Sequence, residues 1–416
     1  KRRAREPPQS RRPARSRGRR VQPAPAGPSA ASAMGAEAGD FAALPPVIHA
    51  IIHEDAPALD PNAESFLPAL RRSAAPEIWH KHGHFYSHLH DVWTMLCAWG
   101  QPRAVCRLGL FHSAYSNSFV SMNLFNPDTE AGRAELRDLI GAEAEELVYK
   151  FCVVNRREME EFVLSEGRIP EAGLTLSHIR TGAPVQCSAA DIGAFLVETV
   201  ADYQDQSFGW QSDMEQGRTK ALWPGPFKPT LRMSRVSKMA VVARQDGQLE
   251  VVPPVFEDCT KVLDEASELE ARDLYWRVVA SEDDAADTEV ALADLRRASS
   301  LNPFVAEPHA VRAQVLAQRG RWAEAADAAK SALRVFYAWA TQWDNRMPFT
   351  AWVSWTRCIL LQASFQEWPE THGGVESLGA VHPSQRFRAL SKDINTPGQR
   401  SVLRSQDISP VAVSRL

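Results

Sequence analysis

The chain has 416 residues, 44% hydrophobic and 24% charged, with a net charge of −4 and six cysteines. No stretch approaches ~18 uninterrupted apolar residues, which excludes a membrane-spanning helix. The cysteines (Cys97, Cys106, Cys152, Cys187, Cys259, Cys358) contain no C-x-x-C pair and are too sparse for a framework, so neither a cysteine zinc site nor a disulfide scaffold is expected.

Charge is unevenly spread. Residues 1–33 hold ten Lys/Arg against one acid, Glu6, a net +9, which leaves −13 for the rest of the chain. An acidic body argues against nucleic acid as a partner, since phosphate contacts need clustered cations. The basic head is rich in Pro, Ala and Ser and lacks apolar periodicity, so residues 1–40 are expected to be disordered. Three readings of it stay open: an organelle transit segment, a basic arm, or a non-native leader ahead of a natural start at Met34-Gly35-Ala36-Glu37. Beyond Met34 there is no signal-type apolar run, and Gly39 stands where a myristoylation signal wants Ser or Thr. The expectation is a cytoplasmic protein without a membrane partner, or one in the chloroplast or another organelle if the head is a transit segment.

The body reads as all-α. Phe85, Leu89, Val92, Trp93, Leu96 and Trp99 form one stripe of a helix over 85–99, which Gly100 ends. Pro102 opens a second helix carrying Val105, Leu108, Phe111 and His112 on one side. A third is expected over 133–153, and a fourth starts at Ser188, where Asp191 completes a capping pattern. Residues 208–256 read as an irregular linker, with a hairpin over Val241–Val252 turning at Asp246-Gly247. The expected divisions are a head over 1–40, a helical domain over 41–207, the linker, a second helical domain over 257–368 and a flexible tail over 369–416.

The second helical domain contains a 34-residue period. Ala291 pairs with Ala325 and Ala298 with Ala332, with Asn302-Pro303, Ala313, Leu316 and Gly320 between them. Small residues at those offsets let antiparallel helices approach closely. The pattern resembles the tetratricopeptide repeat, with Arg312 where that family usually has an apolar residue. About one and a half units are visible, and Trp339, Trp343, Trp352 and Trp355 are expected to cap the stack. The resemblance implies that these helices hold another protein.

Five of the twelve histidines fall between His80 and His90. On a helical wheel His90 lies opposite the apolar stripe, His88 at its edge, and His112 within the apolar face of the next helix. Asp202 borders the apolar face of the fourth helix, and Asp205 points away from it. The segment HLHDVWTMLCAWGQPRAVCRLGLFHS resembles the HD superfamily of metal-dependent phosphohydrolases, most of all the hydrolase domain of RelA/SpoT-type (p)ppGpp enzymes. That resemblance covers residues 75–210 and implies a divalent metal held by His88, His112 and Asp202, with His80 and His84 as substitute donors. The family's His-Asp doublet is His112-Ser113 here, and its Glu-Asp pair, which works on the attacking water, falls on Ser116 and Asn117. One anionic ligand and the general base are therefore missing.

Residues 75–365 also resemble an uncharacterised family of plants, algae and some bacteria, on segments such as PPVFEDCTKVLD and WDNRMPFTAW. That family implies an architecture and no established activity. The expected function is a non-catalytic or weakly catalytic HD-like domain coupled to a protein-interaction module. The alternative is a divergent metal-dependent phosphohydrolase acting on a nucleotide or phosphoester. No Gly-rich phosphate loop or G-x-S-x-G elbow supports another enzyme class.

Overall fold

In the computed structural model, which describes residues 44–207 (apart from 82, 122 and 123) and 232–366 (apart from 259–261 and 281–287), sixteen α-helices carry the fold. The basic head, residues 208–231 of the expected linker and the expected tail lie outside the described residues. The all-α class is as expected, with two small antiparallel hairpins added. Among the described residues no helix is long and apolar enough to cross a membrane.

Three short helices lead in: α1 (Pro46–Ile52), α2 (Ala56–Leu59) and α3 (Ala63–Arg72). A two-residue hairpin follows, β1 (Trp79–His80) against β2 (Gly83–His84), with His80 opposite Gly83. It runs directly into α4 (Phe85–Ala98), whose expected stripe is buried. Gly100, at φ 68, turns the chain, and α5 (Arg103–Phe111) packs back on α4. The two helices approach closely at Gly109, where a Cβ would lie 2.3 Å from Leu96 Cδ1.

The single helix expected over 133–153 is two, α6 (Glu130–Ile140) and α7 (Ala142–Val153). Gly141 separates them at φ 89 and ψ 154, a backbone state that no helix continues through. After α8 (Arg156–Glu166) comes a hairpin, β3 (Leu174–Ser177) and β4 (Pro184–Cys187), which the sequence reading did not foresee. It leads into α9 (Ala189–Asp205) through a complete capping box, in which Ser188 Oγ accepts from the Asp191 N–H and the Asp191 carboxylate accepts from the Ser188 N–H.

The expected hairpin over Val241–Val252 is corrected, and with it the irregular linker as far as it is described. Residues Met233–Asp246 form helix α10, which buries Val236, Met239, Ala240 and Ala243 at helical spacing. A window starting at Val241 sees only the last turn of that pattern. Gly247 is not a hairpin turn: its N–H bonds Ala243 O, and a Cβ on Gly193 of α9 would meet Gly247 O at 2.0 Å. Helix α10 therefore packs on α9.

Helices α11 (Pro254–Asp258), α12 (Glu265–Val279), α13 (Thr288–Leu301), α14 (Glu307–Gln318), α15 (Trp322–Trp339) and α16 (Phe349–Phe365) complete the chain. Ala298, Ala313, Ala325 and Ala332 are fully buried or nearly so, and Ala291 is half-buried. Trp343 fills the space between Tyr275, Leu295, Ala298 and Val305, and Glu307 Oε1 accepts the N–H groups of Trp343 and Asp344 at 2.6 and 2.9 Å. Trp99 Nε1 donates to Trp339 O at 3.3 Å and Ser207 Oγ to Trp343 O at 3.0 Å, so the two helical groups share contacts.

Candidate metal centre

Three helices deliver the expected residues to one point. His88 sits in the first turns of α4, His112 closes α5, and Asp202 lies near the end of α9. All three are buried, and one ligand atom from each lies within 4.8 Å of the others. The closest approach is between His88 Nε2 and Asp202 Oδ1, at 3.3 Å. Helix packing alone does not place two imidazoles and a carboxylate together in an apolar interior, because each needs partners there.

The outer contacts fix how these side chains face. His88 Nδ1 is 2.6 Å from Asp205 Oδ2, which leaves Nε2 toward Asp202. His112 Nδ1 donates to Gly109 O at 2.7 Å, which leaves its Nε2 as the open nitrogen. The second oxygen of Asp202 faces Arg156 Nη2 at 3.4 Å, and Gln206 donates to its first. Arg156 is itself buried, with its guanidinium carbon 4.2 Å from the centre of the Phe151 ring and Nη2 3.1 Å from Thr199 Oγ1.

This arrangement sets the charges. Burial disfavours protonated His88, but hydrogen bonds to Asp202 and Asp205 outweigh it and raise its pKa to about 10. Burial pushes His112 down to about 4, so its ring is neutral at pH 7. Burial also works against an ionised Asp202, yet the hydrogen bond with His88 and the charges around it hold its carboxyl below the usual range. Glu198, wholly buried, is raised well above the usual carboxyl range by burial, and its Oε1 lies 3.3 Å from His112 Nδ1.

The donor set fits a divalent cation. Two nitrogens and one carboxylate oxygen converge, and each imidazole is oriented by its other nitrogen through a carboxylate or a backbone carbonyl, as metal-ligating histidines are. A cation at this point would replace the proton on His88 Nε2. Imidazole-rich sets favour Zn²⁺ or Fe²⁺ over Mg²⁺.

The remaining expected residues divide. His80 is adjacent: its ring lies 4.7 Å from that of His88, and burial lowers its pKa to about 3. His84 is not part of the centre. It caps α4 by accepting from the Ser87 N–H at 3.2 Å, and this holds its ring at the surface. Asn117 is spent on its own loop, donating to His112 O and Ser113 Oγ and accepting from the N–H groups of Phe119 and Val120. Ser116 and Asn117 line an open cleft of about 930 Å³ with Asp128, Glu135 and Arg180; His88, His112 and Asp202 do not line it.

Asp205, expected to point away, is a correction. It is 2% exposed, because α9 is covered by α4 and α5 on one side and α10 on the other. Three residues along a helix is also only about 60° around it from Asp202. Arg156 and Glu198 were missed. Acids at 198, 202 and 205, on one side of an otherwise apolar helix, were a readable signal; Arg156, far away in sequence, offered none.

A family profile described as a domain of unknown function (DUF6817) matches residues 69–156. That match contains His80, His88, His112, Ser113 and Arg156, and ends before Glu198, Asp202 and Asp205. No curated protein and no solved structure matches the chain.

Proposed function

We propose that residues 41–207 are an HD-like domain that holds a divalent metal on His88, His112 and Asp202 without hydrolysing phosphoesters, coupled to TPR-like helices that meet another protein. The observation that carries the metal half is the outer set: Asp205 engages His88 Nδ1 and the Gly109 carbonyl engages His112 Nδ1, and one ligand atom from each of His88, His112 and Asp202 lies within 4.8 Å of the others. The loss of hydrolysis rests on Ser113, Ser116 and Asn117. None of these is a base at neutral pH, and Asn117 has both ends of its amide engaged within its own loop. The protein-facing role of the second group rests on the 34-residue spacing of Ala291, Ala298, Ala325 and Ala332.

The test is a screen of the metal-loaded full chain against nucleotides and simple phosphoesters. The expected result is no turnover above free metal. Turnover that disappears in His112→Ala would favour the alternative, a divergent metal-dependent phosphohydrolase.

A further inference from the structure

We propose that His80 is a fourth donor to this centre, standing in for the carboxylate that Ser113 does not supply, and that three imidazoles and one carboxylate make the site selective for Zn²⁺, Co²⁺ or Fe²⁺ over Mg²⁺. The inference rests on the metal reading above and adds to it the coordination number and the identity of the fourth donor.

The first observation is an orphaned atom. His80 Nε2 is buried and has no hydrogen-bond partner among the described residues. A buried ring nitrogen without a partner forfeits its hydration for nothing in return, so it calls for an explanation. The second is its place. The His80 ring packs 4.7 Å from the His88 ring and 5.0 Å from Phe85, against the ligand that begins the centre. The third is what Ser113 does instead of coordinating. Its neutral hydroxyl accepts from Asn117 Nδ2 at 2.9 Å and offers an ion no charge.

His80 is outside the 4.8 Å set formed by His88, His112 and Asp202. Its side chain must rotate to join them, and Nε2 gives up no hydrogen bond in doing so. It stands on β1, a strand of two residues paired antiparallel with β2. Of the two described histidines of this hairpin, His84 accepts from the Ser87 N–H to cap α4, whereas His80 Nε2 has no partner among the described residues. A nitrogen-rich set of this kind is borderline in softness. It suits Zn²⁺, Co²⁺ and Fe²⁺, whereas Mg²⁺ demands oxygen ligands and retains its water.

The test loads the full chain with Zn²⁺ and counts imidazoles by X-ray absorption, expecting three in the wild type and two in His80→Ala. In a chelator competition, His80→Ala should lose about 100-fold or more in Zn²⁺ affinity, at least the upper end of what an outer-sphere partner contributes. His84→Ala should bind as the wild type does. His80→Asp, which returns an oxygen donor, should move the preference toward Mn²⁺. Two imidazoles in the wild type, or equal Zn²⁺ affinity in His80→Ala, would overturn the assignment and leave the three-donor centre standing. A wild type that binds no ion would overturn both.

Discussion

His88 Nδ1 and Asp205 Oδ2 lie 2.6 Å apart across 117 positions of sequence. This contact sets which nitrogen of His88 faces Asp202, and it makes Asp205 the buried orienting partner of His88 rather than a surface acid. Carboxylate–histidine pairs of this kind raise ligand basicity and lock the ring. Asp205→Asn keeps an acceptor but removes the charge. It should weaken divalent-metal affinity by about 10–100-fold while leaving the ligands in place. A competition titration with a chromophoric chelator reads this directly, and an unchanged affinity would make Asp205 a purely structural partner.

Arg156 is the buried cation that balances Asp202 and lies against Phe151. Replacing it with Met leaves Asp202 with His88 and Gln206 alone, and removes the cation beside Glu198. The expected cost is about 3–5 kcal/mol in denaturant unfolding, the range for removing one member of a buried ion pair. A loss below about 1 kcal/mol would mean that His88 and Gln206 alone satisfy Asp202.

Ala325 is fully buried on α15, where this helix packs on α14. Ala325→Leu should overpack that crossing and cost about 1–3 kcal/mol. Equal unfolding midpoints would show that the crossing has room to spare and that the 34-residue spacing carries no packing constraint.

Glu307 gives a pH dependence remote from the metal centre. Burial raises its carboxyl from 4.5 to about 7, while the backbone N–H groups of Asp344 and Trp343 pull the other way. Between those values the folded state holds a proton that the unfolded state has lost. The contribution of Glu307 to stability therefore falls as pH rises from 4.5 to about 7, and is level on either side. The drop is about 3 kcal/mol at 1.36 kcal/mol per unit. Glu307→Gln keeps an acceptor for both N–H groups and cannot ionise, so it should gain on the wild type by that amount between pH 5 and 8. Parallel stability curves would contradict this.

The helices around the centre were legible because their apolar residues repeat at helical spacing: Phe85 to Leu96 on α4, Val105 to Phe111 on α5, and the Ser188-Asp191 cap of α9. The break at Gly141 was not, because the apolar period on either side of one glycine runs on almost in phase. Helix α10 was hidden because Val241-Val242 and Val251-Val252 flank Asp246-Gly247, a pattern that also fits two strand ends around a turn. Within the site, His88, His112 and Asp202 could be named in advance through a resemblance. Asp205 and Arg156 could not, because burial of a polar residue depends on what covers the far side of its helix. Amphipathic analysis of one helix does not contain that information.

On the proposed reading, His88, His112 and Asp202 hold a divalent ion. The most direct measurement is calorimetric titration of Zn²⁺ into the chelator-stripped full chain and into Asp202→Ala, with circular dichroism to verify that both stay helical. The expected result is one ion per chain in the wild type, bound with release of the proton on His88 Nε2, and loss of that binding in a folded Asp202→Ala. A folded wild type that takes up no ion, or an Asp202→Ala that binds with the same affinity, would contradict it and leave His88, Asp202 and Asp205 as a buried ion-pair network.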